Sequence, residues 1–395
     1  MLSRQIASII ADDLQEKMVL LAGPRQCGKT TVARQLLDAT SGHYYNWDVA
    51  ADRRAIQKAE LDEASPLWVF DELHKFGRWR NWLKGQYDVH HERHRILVTG
   101  SARLDYYRRG GDSLQGRYHA HRLHPFTLSE VLQLPAPEKW DSVPLLGRTP
   151  PAGAQEALDA LLQLGGFPEP FLKGSDRAAA RWRHEYGDRL VREEVRDLER
   201  VRELERMELL YDRLPEIVGS VLSINNLRED LEVSFKTVDS WVAIFERLYS
   251  CFRLAPFGPP RIKAVRKGQK LYLWDWARVE NASARFENLV GLHLLRFQHW
   301  CEDVEGAKVE IRYFRNIVGK EVDFLILKNR VPWIAVEVKE GDQYLSDGLR
   351  YLLERVSIPY AFQISHRGTK DYRVPDIGKS FVRVMPAAGF LTNLP

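Results

Sequence analysis

Short apolar runs alternate with amphipathic stretches along residues 1–125. "MVLLAG", "LWVFDE" and "RILVTGSAR" each read as a buried strand that ends in polar residues. Strands buried on both faces are near-continuous in hydrophobicity, and strands alternating with helical patterns predict a parallel α/β sheet. In such sheets ligands bind beyond the carboxyl ends of the strands, which is where the polar residues fall. The stretch "LPAPEKWDSVPLLGRTPPAGA" (134–154) is rich in proline and glycine and reads as a linker or long loop. Residues 155–250 carry helical periodicity, including a charged stretch, "RDLERVRELERMELL", that reads as a solvated helix with Glu/Arg pairs. From residue 251 strands return in "CFRLAPF", "KLYLWD", "EIRYF", "EVDFLIL" and "WIAVEVK".

Composition narrows the class only a little. The chain has 395 residues, enough for two to four domains, with apolar and charged fractions of an ordinary globular protein. A net charge of +4 permits nucleic-acid binding without requiring it, so the clustering of charge has to decide. Cys27, Cys251 and Cys301 are few, odd in number and far apart. They predict neither a disulfide framework nor a zinc cage and suit a reducing cytoplasm. The first residues, "MLSRQIASIIADDLQEK", break their apolar stretch with charges and are not expected to be a signal peptide. No run of about 18 apolar residues occurs, so no transmembrane helix is expected and no membrane partner.

One motif carries definite chemistry. Gly23-Pro24-Arg25-Gln26-Cys27-Gly28-Lys29-Thr30 matches G-x-x-x-x-G-K-[ST] at every fixed position, with a strand pattern before it and a helical pattern after it. Gly28 lets the backbone turn and approach a phosphate closely. Loop amides and the helix N-terminus, with Thr31 in the first turn, point at the anion. Lys29 supplies a cation for the β- and γ-phosphates, and the Thr30 hydroxyl is a ligand for Mg²⁺. Asp71, at the end of "LWVFDE", is placed to hold the same Mg²⁺ through water, and Glu72 to orient or deprotonate the attacking water. At the end of the third strand, Thr99 and Ser101 are candidates to sense the γ-phosphate. Arg103 and Arg117 are candidates to neutralise transition-state charge, in cis or from a neighbouring subunit of a homo-oligomer. His90 and His94 lie one helical turn apart and read as a polar helix face, since "HHERH" lacks zinc-motif spacing.

The motifs "AGPRQCGKTT", "WVFDE", "VTGSAR", "LQGRY…LHPFTLSE", "LGGFPEP", "FENLVGLHLL" and "GKEVDFLIL…AVEVK" occur in one order over nearly the whole chain. Together they resemble the bacterial and archaeal AAA-type ATPases that carry a C-terminal domain of unknown function with a restriction-endonuclease-like appearance. Cys27 departs from the aliphatic residue common there, and a small thiol fits the place. The resemblance implies an α/β fold: an AAA-type P-loop NTPase sheet with a helical lid, a winged-helix segment and a restriction-endonuclease-like domain. The expected boundaries are 1–125 for the ATPase core, 126–205 for lid and linker, 206–280 for the winged helix and 281–395 for the last domain.

Two further constellations fit that outline. In "SINNLREDLEVSFKTVDSWVAIFERL" (223–248), Ser223 and Ser234 are N-caps for two helices around a tight turn. Two strands follow, joined by a loop with Arg261, Lys263, Arg266, Lys267 and Lys270 and no acid among them. That outline reads as a winged helix whose loop meets DNA phosphates or, alternatively, as a packing domain. Downstream, "EVDFLIL" and "PWIAVEVK" read as neighbouring strands joined by "KNR". Asp323, then Glu337-x-Lys339 after 13 intervening residues, resembles the PD-(D/E)xK nucleases. There an Asp and a Glu hold Mg²⁺ and the Lys positions the attacking water. Glu287, on "ARFENLVGLHLLR", matches the additional helix-borne acid of that fold. The expected function is an ATP-hydrolysing switch, with ATP and Mg²⁺ as cofactors, that controls a nuclease-like module acting on DNA. The alternative is a nucleotide-gated protein-interaction switch that cuts nothing.

Overall fold

The computed structural model describes residues 2–100, 104, 114–195, 203–258 and 268–395, apart from the side chains of 143–145 and 376. Ser101, Arg103, Arg261, Lys263, Arg266 and Lys267 lie outside the described residues. The chain divides into two compact units, one of residues 1–125 with 247–249, the other of 126–246 with 250–395.

The first unit is built from α1 (Ile6–Asp13), β1 (Met18–Ala22), α2 (Lys29–Thr40), β2 (His43–Asn46), α3 (Ala50–Lys58), β3 (Leu67–Asp71), α4 (Trp79–His90), β4 (Arg95–Thr99) and β5 (Tyr118–Arg122). The strands form one parallel sheet in the order β2-β3-β4-β1-β5. β1 and β3 are buried along their whole lengths, as strands covered on both faces must be. Trp68, Phe70, Ile96 and Val98 centre the core on one face. His94 departs from the polar-face reading. It is buried, its ring lies 4.0 Å from that of Trp68, and its Nδ1 is 2.9 Å from the Ser65 carbonyl oxygen.

The second unit begins helically, with α5 (Ala154–Leu164), α6 (Asp176–Arg189), α7 (Leu204–Arg213), α8 (Ile224–Asp230) and α9 (Phe235–Arg247). Ser223 caps α8 by accepting from the Asn226 amide, and the Thr237 amide donates to Ser234 at the start of α9. β6 (Cys251–Leu254) and β7 (Lys270–Leu273) make a two-stranded antiparallel sheet. α10 (Ala282–Asp303) then runs through the core, pressing Gly291 against the Phe324 ring, where a Cβ would come within 3.1 Å. The remaining elements are β8 (Val309–Arg315), β9 (Glu321–Lys328), β10 (Val331–Lys339), α11 (Asp347–Leu353), β11 (Tyr360–Ser365), β12 (Tyr372–Ile377), β13 (Ser380–Pro386) and α12 (Ala387–Leu391). They form a mixed sheet in the order β12-β13-β11-β10-β9-β8, parallel at β10-β11 and β11-β13. β9 and β10 are joined through Asn329 and Arg330, both left-handed at φ 51° and 66°, as a tight twisted hairpin requires. Among the described residues no helix is long and apolar enough to cross a membrane.

Candidate functional site

The parallel register carries Leu21, Thr99, Asp71 and Asn46 into one row across the carboxyl edge of the first sheet. The loop 23–28 leaves β1 at that edge and delivers Lys29 as the first residue of α2. Its backbone tolerates little else. A Cβ on Gly23 would stand 2.4 Å from the Leu123 carbonyl oxygen, and Gly28 caps α2 at φ 100°. Cys27 is fully buried, so its thiol serves as a small apolar plug under the loop. Pro24 is buried, while Arg25, Gln26, Thr30 and Thr31 are half-buried. Lys29 Nζ donates to the carbonyls of Gly23 at 3.0 Å and Pro24 at 2.6 Å.

Asp71 is the hub opposite this loop. Its Oδ2 accepts from Thr30 Oγ1 at 3.1 Å and from the Tyr44 hydroxyl, and its Oδ1 accepts from Thr99 Oγ1 at 2.6 Å. A carboxylate and a hydroxyl within hydrogen-bond reach at a phosphate-type loop are hard oxygen donors suited to Mg²⁺. Burial first, and the Asp71 hydrogen bond second, push the Tyr44 phenol well above its ordinary range, so it remains a donor. Sequence reading missed Tyr44. Its signal was a polar–aromatic strand, "HYYN", too short to weigh alone.

Glu72 follows in a left-handed conformation, φ 56°, held by its amide donating to the Thr99 carbonyl at 3.0 Å. Its carboxylate lies 3.4 Å from Lys75 Nζ and 3.6 Å from His74 Nε2, and Lys75 also pairs with Asp48 at 2.6 Å. Burial raises the Glu72 carboxyl above the ordinary range, and Lys75 and Lys29 pull against that rise. Removing Lys75 therefore raises it further, and the base form is lost at a higher pH. In Lys75→Met the acid limb of the kcat profile is expected to shift upward in pH; an unmoved limb would mean the pair does not govern Glu72.

The structure does not bring Arg117 to this loop within its own chain. Arg117 precedes β5, whose Tyr118 pairs with Met18 at the start of β1, so it sits at the opposite edge of the sheet. There its guanidinium pairs with Asp88 at 2.6 Å. Arg122 is the residue of that strand that aligns with Ala22 beside the loop.

In the second unit, the β9–β10 register pairs Phe324 with Val336 and makes Asp323 and Glu337 the next pair outward. Asp323 Oδ2 accepts from the Val338 amide at 2.9 Å, and Lys339 Nζ lies 2.7 Å from Glu337 Oε1. Glu287 arrives from α10. Asn288 beside it accepts from the Leu273 amide at 2.8 Å and donates to the Leu273 carbonyl at 2.7 Å, clamping β7 along the helix. Lys270 and Tyr272 share a face of β7, and both reach Glu287 Oε1, at 3.1 and 2.7 Å.

One sequence expectation is corrected here. Lys270 is not part of an exposed basic loop: its side chain is 1% exposed, paired with Glu287 and Glu321 and 3.9 Å from Asp323. Asp323, Glu337 and Glu287 lie among lysines: Lys270 pairs with Glu287 and stands 3.9 Å from Asp323, and Lys339 pairs with Glu337. Among the described residues no group of three His, Cys, Asp or Glu converges to hold a metal ion.

Burial, then Glu287, push Asp323 upward, against the pull of Lys270. Burial, then Asp323, push Glu337 up to about 7, against Lys339. A carboxyl raised in the folded state contributes stability below its unfolded value, and that contribution is lost as pH rises through the folded one. Glu337→Gln is accordingly expected to stabilise the chain above about pH 7 and to be neutral below pH 4.5, as read by denaturant unfolding across pH. A constant difference would contradict the raised carboxyl.

Comparison with known proteins finds family matches in three segments of the chain. Residues 15–132 match an AAA domain, 155–285 a domain of unknown function (DUF8612) and 282–387 a domain of unknown function (DUF4143). Two uncharacterized mycobacterial proteins, Rv2008c of Mycobacterium tuberculosis and Mb2031c of Mycobacterium bovis, are each 25% identical over 260 residues, 65% of this chain. The chain spans about half of their length, 54%. Similar solved structures include the Thermotoga maritima RuvB Holliday junction branch migration motor, at 16% identity and a TM-score of 0.29, covering 67% of this chain and 89% of that one. Another is a signal-transduction ATPase with numerous domains and a tetratricopeptide repeat sensor from Pyrococcus horikoshii, at 14% identity and a TM-score of 0.30, covering 75% and 45%. The phosphate-type loop, the Asp71 hub and the parallel sheet all lie inside residues 15–132, the segment that matches an AAA domain.

Proposed function

We propose that the chain binds and hydrolyses ATP with Mg²⁺ in its first unit and uses the nucleotide state to control its second. The observation that carries this is the convergence of Thr30 and Thr99 on Asp71 beside the loop that presents Lys29. Loop amides 23–28 and the start of α2 hold the phosphates. Lys29 exchanges two backbone carbonyls for phosphate oxygens. Thr30 and Asp71 would hold Mg²⁺, and the bound ion would supply charge neutralisation at the phosphates. Glu72 orients the attacking water and accepts its proton. Thr99 keeps Asp71 turned toward Thr30.

In the second unit, residues 126–205 are proposed as a lid and linker, 206–280 as a winged helix and 281–395 as a restriction-endonuclease-like domain. Paired helices α8 and α9 followed by the β6–β7 sheet support the winged helix. The hairpin with Asp323, Glu337 and Lys339 supports the nuclease-like domain. The buried lysine among its acids favours a module that engages DNA without cutting it. Duplex, single-stranded and branched DNA are the probes. At least one is expected to stimulate ATP turnover, and none to be cut. A Mg²⁺-dependent nick lost in Asp323→Ala and Lys339→Ala would overturn the non-cutting reading. Replacing Arg266 and Lys267 by Ala is expected to reduce the salt slope of DNA binding by about 1 for each phosphate no longer neutralised. An unaltered slope points instead to a protein partner.

A further inference from the structure

We propose that the acidic cluster of the second unit is a cation site whose cation is the side chain of Lys270. Four acids crowd one end of the β9–β10 hairpin and α10: Glu287, Glu321, Asp323 and Glu337. Carboxylates this close need a cation among them, because each loses hydration and repels the others. Lys339 serves Glu337. Lys270 serves the other three, pairing with Glu287 and Glu321 and facing Asp323.

The placement is fixed from several sides. β7 pairs with β6, Lys270 bridges Val221, the Leu222 amide donates to the Gln269 carbonyl at 2.8 Å, and Asn288 clamps Leu273. The ammonium is therefore built in by the backbone of β7 rather than carried on a loose surface chain. A cleft of about 670 Å³, lined by Gly219, Ser220, Asn281, Ser283 and Glu287, opens onto the Glu287 carboxylate. A divalent ion that enters meets acids already neutralised. The inference rests on the reading of this unit as a module that does not cut. Cation binding and DNA cleavage are read separately, so a cluster that takes no metal in a protein that cuts DNA sinks that reading alone.

The test is Mn²⁺ binding, without nucleotide, to the full chain and three variants: Asp323→Asn, Lys270→Met, and the two combined. The unaltered chain and Asp323→Asn are expected to bind Mn²⁺ alike. Lys270→Met is expected to gain about one ion per chain that the added Asp323→Asn abolishes, and its Tm to rise with Mn²⁺. Asp323-dependent binding by the unaltered chain, or a folded Lys270→Met without the new site, overturns the proposal. A second measurement needs no variant. Reductive methylation mapped by mass spectrometry is expected to modify Lys270 roughly tenfold less than Lys58, which is 66% exposed, with or without millimolar Mg²⁺. Labelling of Lys270 to the extent of Lys58, or labelling switched on by Mg²⁺, overturns it as well.

Discussion

Glu72→Gln is expected to bind MgATP as tightly as the unaltered chain and to turn it over at least about 10²-fold more slowly. The substitution keeps the shape and polarity of the side chain and removes its capacity to take a proton. Nothing in the phosphate-holding set is disturbed, because Lys29, Thr30 and Asp71 form their contacts without Glu72. The left-handed backbone at Glu72 accepts Gln as readily as Glu, so the loss is one of chemistry and not of folding. Steady-state turnover and equilibrium binding separate the two effects. An unchanged kcat would remove Glu72 from its assigned role. A matching loss of affinity would make it a binding residue.

Lys270→Met carries the largest expected effect on stability, about 3–5 kcal/mol at neutral pH, the scale for removing one partner of a buried ion pair. Methionine fills most of the space, but Glu287 and Asp323 lose the ammonium between them and Glu321 keeps only Arg315, at 3.7 Å. The pH dependence follows. Without the ammonium the Asp323 carboxyl, raised by burial, rises further above its unfolded value, so its part of the deficit shrinks as pH falls and it protonates. Adding Glu287→Gln should restore part of the loss, and the two changes should not be additive. A deficit that is the same at every pH, or strict additivity, would show that Lys270 acts through packing alone.

Much of the first unit was legible in the sequence because its signals are local. The glycines, Lys29 and Thr30 form a contiguous pattern, and β1, β3 and β4 are unbroken apolar runs. β5 was not legible as a strand. "YHAHR" carries polar side chains on an edge strand, and His121 Nε2 pairs with Asp13 at 2.6 Å, a partner 108 residues away. Without β5, nothing in the sequence says that Arg117 precedes the strand and Arg122 ends it, which decides which arginine lies beside the loop.

The second unit shows the same division. The β9–β10 hairpin and the two capped helices follow from neighbouring residues. Lys270 does not. Counted along the chain it is one of five bases in a loop. Its inward turn depends on the Val221 bridge and on Asn288, contacts made across 49 and 15 residues. The crowding of Glu321, Asp323 and Glu287 around it is a property of the tertiary packing that no spacing rule contains.

The most direct measurement is a calorimetric titration of MgATP into the purified chain and into Lys29→Ala. The expected result is saturable binding to one site per chain, lost or sharply weakened when Lys29 is replaced. No heat of binding in the unaltered chain, or equal binding by both proteins, would contradict the assignment of residues 23–30 and Asp71 as the nucleotide site.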